Sequence, residues 1–216
     1  MLRKRENDPY LQIALDLVNT HRALQIAEEA IKGGIDWIEA GTPLIKKFGV
    51  SIINKIRENH PDSYIIADMK TLDVGWLEVQ IGAESSANAI VVSGLASLET
   101  IESSLDESKI RNVDIILDCM NVENPIVLLD SLKRMPEIIL FHRGIDQEKR
   151  MDHPWNIIQN IKERYDKTLI AVAGGLNLET SKRALNNGAD IIVVGRAITQ
   201  AENIKETTDR FLNLLQ

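Results

Sequence analysis

The chain of 216 residues has one cysteine, Cys119, so no intrachain disulfide can form, and a reducing cytoplasmic setting is expected. It has no apolar run near the roughly 20 residues that a membrane span needs. The opening residues Met1 to Arg5 are basic, but Glu6-Asn7-Asp8-Pro9 follows where a signal peptide would need an apolar stretch, so no leader is expected. Positive charge is also in deficit. Lys and Arg number 25 against 32 Asp and Glu, giving a formal net charge of -7. Such a chain is a poor generic binder of polyanions, so neither nucleic acid nor a membrane surface is an expected partner. If it binds phosphate, a local device must do so. There is no His–Cys cluster and no paired histidine, which argues against zinc.

What is present is a regular alternation. Short apolar runs read as strands at Leu11–Leu17, Trp37–Glu39, Tyr64–Met69, Ala89–Val92, Asp114–Asp118, Ile138–Phe141, Leu169–Val172 and Ile191–Val194. Amphipathic stretches between them read as helices at Arg22–Lys32, Leu44–Asn59, Trp76–Gly82, Leu98–Leu105, Asn124–Arg134, Asn156–Tyr165, Leu178–Asn187 and Ile198–Leu214. Gly33-Gly34 and Asn186-Asn187-Gly188 stand where helices should end, with Asp36 or Asp190 before the next strand. Pro43 and Pro125 stand near helix starts, where a missing amide donor costs little. Continuous apolar runs suit strands buried on both faces. Eight βα units without a linker predict one (β/α)8 TIM barrel domain, class α/β, over residues 1–216.

Barrel active sites gather at the carboxyl ends of the strands. The polar residues there are Asp16, Glu39, Asp68 with Lys70 and Asp73, Ser93, Asp118 and His142, and then Gly174-Gly175 and Gly195-Arg196. The central motif is Asp68-Met69-Lys70-Thr71-Leu72-Asp73, an Asp-x-Lys-x-x-Asp. Strand alternation would put Asp68 and Lys70 on one face, where two buried charges are costly unless they pair or do chemistry. Glu39 and Asp68 offer hard oxygen ligands that suit Mg²⁺, with Mn²⁺ as the alternative. Lys70 among carboxylates is expected to stay charged and to stabilise an oxyanion. His142 can shuttle a proton. Gly174 and Gly175, the helix start at Asn177–Thr180, Gly195 and Arg196 together form an expected phosphate cradle. His21, His60 and His153 read as solvated, Cys119 and Trp37 as packing residues, and Gln147-Glu148-Lys149-Arg150 as an exposed loop.

These residues resemble the orotidine-monophosphate decarboxylase suprafamily, whose shared mark is Asp-x-Lys-x-x-Asp at strand three. Within it the chain is most similar to the 3-hexulose-6-phosphate synthases. The segments that carry the resemblance are Ala14-Leu15-Asp16, Glu39-Ala40-Gly41-Thr42-Pro43-Leu44, Asp68 to Gly75, His142-Arg143-Gly144-Ile145-Asp146 and Ala171 to Leu176. The decarboxylases of orotidine monophosphate have a lysine at strand two where Glu39 stands here. The 3-keto-L-gulonate-6-phosphate decarboxylases carry an arginine three residues after the histidine, where this chain has Ile145. The resemblance therefore implies a Mg²⁺-dependent aldol addition of formaldehyde to D-ribulose 5-phosphate, giving D-arabino-3-hexulose 6-phosphate, and its reversal. Decarboxylation of a keto-sugar acid phosphate or of orotidine monophosphate is the alternative, and a non-catalytic sugar-phosphate-binding barrel a further one. The implied roles are metal binding for Glu39 and Asp68, catalysis for Asp16, Lys70, Asp73 and His142, and phosphate binding for Gly174, Gly175, Gly195 and Arg196. The resemblance also implies a homodimer with shared active sites, in which Asp73 reaches the neighbouring subunit's site, and Trp76 is a candidate for that contact.

Overall fold

The structure, a computed structural model, describes residues 9–35 and 37–215. Asp36 and the residues ahead of Pro9 lie outside the described residues. Eight parallel strands close into a barrel in sequence order: β1 (Tyr10–Leu15), β2 (Trp37–Ala40), β3 (Tyr64–Thr71), β4 (Ala89–Ser93), β5 (Asp114–Asp118), β6 (Ile138–His142), β7 (Leu169–Ala173) and β8 (Ile191–Val194). The circle is sealed by β1 pairing with β8, Tyr10 opposite Ile191 and Ile13 opposite Val194.

Alternation within each strand divides the apolar side chains between two cores. Ile191 and Val193 fill the barrel interior with Ile66, Val91, Ile116, Leu140 and Ala171. Ile192 and Val194 face outward, packing with the buried stripes of the helices, such as Ile26, Ile53, Ile101 and Ile158. Each fully buried side chain of this size contributes about 1.5–3 kcal/mol. Trp37 is a packing residue, as expected. Its ring lies between those of Tyr10 (centroids 4.7 Å apart) and Tyr64 (4.2 Å), and Tyr64 Oη donates to Asp114 Oδ2 at 2.6 Å. These residues begin their strands, so they plug the end of the barrel opposite the expected mouth.

The helices are α1 (Thr20–Lys32), α2 (Thr42–Phe48), α3 (Ser51–Asn59), α4 (Gly75–Glu84), α5 (Leu98–Arg111), α6 (Pro125–Ser131), α7 (Trp155–Arg164), α8 (Leu178–Asn186), α9 (Arg196–Thr199) and α10 (Ile204–Leu212). Two expected helices are each broken in two. Leu44–Asn59 is interrupted where Gly49 adopts φ +71° and ends α2. Ile198–Leu214 is interrupted before Asn203, whose side chain accepts from Glu206 N and starts α10. Among the described residues no helix is long and apolar enough to cross a membrane.

Candidate active site

The expected site residues lie at the carboxyl ends of the strands. Asp16 follows β1, and Glu39 lies within β2. Asp68 and Lys70 lie within β3, His142 closes β6, and Gly174-Gly175 and Gly195-Arg196 follow β7 and β8. Glu39 and Asp68 are buried, at 7% and 4% exposure.

Lys70 is the hub. Its Nζ lies 2.8 Å from Asp118 Oδ2, 3.3 Å from Asp68 Oδ2 and 3.4 Å from His142 Nδ1. His142 Nδ1 in turn lies 3.3 Å from Asp118 Oδ2. Lys70 reaches this position by an irregular route. Its φ is +47°, and the β3–β4 register shifts between Ala67 and Thr71. A bulge of this kind re-aims a side chain. A non-glycine residue held there costs about 1–2 kcal/mol. Simple strand alternation therefore does not describe how Lys70 joins Asp68.

The electrostatics follow from crowding. Burial alone would lower the Lys70 pKa, but Asp68, Asp118 and the hydrogen bond to Asp118 outweigh it and raise it, so the ammonium stays charged. Burial would raise Asp118, but the hydrogen bond to His142 and the charge of Lys70 outweigh it and lower its pKa. Glu39 is pushed well above the carboxylate range by burial, then by Asp68 and Asp16, despite Lys70 and the hydrogen bond from Gln12. Asp16, at the open rim, is raised by loss of surrounding water and then by Asp68.

Supporting side chains include several that the sequence reading missed. Gln12 Nε2 donates to Glu39 Oε2. Thr42 Oγ1 donates to Asp68 Oδ2 at 2.6 Å. Asp118 was visible as a strand-end carboxylate, but its place between Lys70 and His142 was not. Met120 N fixes its other oxygen at 2.9 Å. His142 also lines a cavity of about 460 Å³ with Cys119, Phe141, Arg143 and Met151. Cys119 itself is buried and its thiol pKa is raised by burial, which suits packing.

Asp73 lies beyond the end of β3. Its carboxylate accepts from Val74 N at 2.8 Å on an exposed turn, where Val74 has φ +52°. Beside it in sequence Leu72, Val74, Trp76 and Leu77 are exposed, Leu72 by 59% and Trp76 by 50%.

At the expected phosphate cradle Gly174 and Gly175 have φ of +102° and +65°. A Cβ on Gly174 would fall 2.0 Å from the Arg143 carbonyl oxygen, so glycine is required there. Asn177 and Thr180 form a capping box that starts α8. Two expectations are corrected at this point. His153 is not solvated: it is 4% exposed, and its Nε2 lies 3.0 Å from the Gly174 carbonyl oxygen. Glu148 is not part of a bare exposed loop: it is half-buried, and its Oε1 accepts from Arg196 Nη2. Both residues lie in an aperiodic stretch, where no pattern marks a contact.

Residues 9–211 match the orotidine 5'-phosphate decarboxylase / HUMPS family. The chain belongs to this family. A bifunctional enzyme Fae/Hps from Methanosphaerula palustris is 47% identical over 208 residues, which is 96% of this chain and 53% of that protein. One from Methanosarcina mazei is 46% identical over 207 residues, with the same coverage. The chain thus spans about half the length of these relatives. The crystal structure of 3-hexulose-6-phosphate synthase from Salmonella typhimurium superposes with a TM-score of 0.89 at 28% identity, covering 95% of this chain and 98% of that one. The decarboxylase/HUMPS fold thus extends through both chains with the barrel as its frame.

Among the described residues no group of three His, Cys, Asp or Glu side chains forms a ready metal cage. The residues nevertheless fit a hard divalent cation. Asp68 Oδ1 is buried and has no hydrogen-bond partner among the described residues, and the negative charge of Asp68 raises the cost of charging Glu39 and Asp16. A Mg²⁺ site of two carboxylates, completed by water and substrate oxygens, needs no protein cage.

Proposed function

We propose that this chain is a 3-hexulose-6-phosphate synthase, joining formaldehyde to D-ribulose 5-phosphate and catalysing the reverse cleavage. The observation that carries this reading is the Asp68–Lys70–Asp118–His142 cluster, with a carboxylate, Glu39, on the neighbouring strand. The 3-hexulose-6-phosphate synthase structures and the Fae/Hps relatives support it.

The residues divide the work. Glu39 and Asp68 would hold Mg²⁺, which when bound supplies Lewis-acid polarisation of the ketose carbonyl. Asp118 accepts from His142 Nδ1, which leaves Nε2 as the base that removes a proton from C1 of the sugar phosphate. Lys70 stabilises the negative charge that then develops on the substrate oxygen. The C1 carbon forms its new bond to the formaldehyde carbon, and the formaldehyde oxygen takes a proton from the His142 imidazolium. Asp16 orients substrate hydroxyls at the rim. Arg196, with the backbone at Gly174, Gly175 and Gly195, anchors the phosphate, and that binding energy places C1 for reaction.

Asp73 acts in the second subunit of a homodimer in this reading. Its place on an exposed turn beyond β3 and the exposed apolar side chains of Leu72, Val74, Trp76 and Leu77 beside it in sequence support that role.

The test is an assay with ribulose 5-phosphate and formaldehyde, and in parallel with 3-keto-L-gulonate 6-phosphate. Hexulose phosphate should form, chelation should abolish turnover, and Mg²⁺ should restore it. Full activity after exhaustive chelation would remove Glu39 and Asp68 from a metal role. Turnover of the keto-gulonate phosphate alone would replace the reaction.

A further inference from the structure

The proposed reaction leaves Glu148 without a task, together with the strap that carries it between β6 and α7. Glu148 Oε1 pairs with Arg196 Nη2. The same carboxylate lies against Gly175: a Cβ built on that glycine would come 2.9 Å from the Glu148 carboxyl carbon and 3.0 Å from Oε1. Arg196 and Gly175 are two of the groups assigned above to the substrate phosphate. A carboxylate and a phosphate offer a guanidinium the same kind of anionic acceptor oxygens. One pocket cannot hold both, since they would compete for the same donors and repel each other.

We propose that Glu148 is a built-in stand-in for the substrate phosphate, a latch that keeps the strap on the cradle until phosphate displaces it. This rests on the reading of Arg196 as the phosphate anchor. The strap's ends are held by other bonds. Arg143 Nη2 donates to the Gly174 carbonyl at 3.1 Å, and Arg143 Nη1 donates to that of Met151 at 3.0 Å. His153 Nε2 meets the Gly174 carbonyl at 3.0 Å. Between these anchors the chain makes one short 3-10 turn, Ile145–Gln147, and then exposes Lys149 and Arg150. When phosphate takes Arg196, Glu148 moves out and carries the middle of the strap into solvent, while Arg143 and His153 keep its ends in place. The latch thus lowers affinity for any phosphate ligand and couples phosphate binding to opening of the strap.

The test uses the whole protein and inorganic phosphate as probe. Calorimetry would compare the parent, Glu148→Gln and Arg196→Ala, and limited trypsin digestion would follow cleavage after Lys149 and Arg150. Glu148→Gln should bind phosphate about fivefold more tightly, or about 1 kcal/mol. Phosphate should speed cleavage of the strap in the parent, and Glu148→Gln should be cut fast with or without it. Equal affinity in the parent and Glu148→Gln, with Arg196→Ala losing phosphate, would overturn the latch and leave the phosphate site standing. Cleavage slowed by phosphate would likewise overturn it. Arg196→Ala binding phosphate as tightly as the parent, or a parent and Glu148→Gln that both fail to bind, would overturn the phosphate site and the latch together.

Discussion

His153 should make the fold sensitive to mild acid. It is almost fully buried, its Nε2 is used on the Gly174 carbonyl, and its Nδ1 has no hydrogen-bond partner among the described residues. A second proton would enter with no acceptor and with the Arg143 guanidinium nearby. Burial first, and Arg143 second, push its pKa down from 6.5 to about 4. Between those two values the unfolded chain binds a proton that the folded chain does not, so stability must fall as pH falls through this window. Below pH 4 the loss levels off at about 3 kcal/mol, and between pH 7 and pH 5 it is about 2 kcal/mol. The perturbation is His153→Gln, which keeps a donor for Gly174 but does not titrate. It also loses the packing of the His153 ring against Trp155, 4.9 Å between centroids, which is a constant offset at every pH. Urea unfolding of both proteins at pH 7 and pH 5, followed by circular dichroism and fluorescence together, measures the difference. The stability gap between parent and variant should shift by about 2 kcal/mol in favour of the variant at pH 5. A gap that is the same at both pH values, or a His153 titration seen by NMR near 6.5, would refute the reasoning.

Two further outcomes test the site. Asp118→Asn keeps the shape of the group that bridges Lys70 and His142 but removes its charge, so kcat should fall by about a hundredfold or more with little change in KM for the sugar phosphate; an unchanged kcat would remove Asp118 from the proton-transfer path. Lys70→Ala and Asp73→Ala should each be nearly inactive, yet after dissociation and reassociation together they should recover about a quarter of parental activity, because random pairing under closed two-fold symmetry gives heterodimers with one intact site. No recovery despite demonstrated subunit exchange would place Asp73 in its own subunit's site.

The strands were legible because burial on both faces leaves a continuous apolar run, and most runs here end in a polar residue at the mouth. Asp16, Glu39, Asp68, His142 and Arg196 could therefore be located from their neighbours alone. The breaks near Gly49 and ahead of Asn203 were not legible, because the amphipathic pattern of Leu44–Asn59 and Ile198–Leu214 runs on through residues whose backbone turns. The bulge at Lys70 was hidden for a related reason: Tyr64–Met69 reads as an ordinary strand, and only the ladder with β4 shows the shift. Gln12 and Asp118 act across strands, at partners 27 and 48 residues away, which no local pattern encodes. Glu148 and His153 sit in a strap with neither helical nor strand periodicity.

The closure of β1 on β8 makes the mouth a property of the complete circle. Asp16 and Arg196 flank the seam where the first and last strands meet, and the charge of Arg196 reaches Asp16 across it. Their encounter is the longest loop the chain must close, and such non-local pairings form slowly. A chain that had assembled the middle strands would already hold Lys70, Asp118 and His142 within one connected sheet, yet would lack both the rim carboxylate Asp16 and the proposed phosphate anchor Arg196. With Arg196 as the proposed phosphate anchor, competence to bind a sugar phosphate would report on the sealing of β1 to β8, and an unsealed sheet would be silent in any such assay however native its central strands.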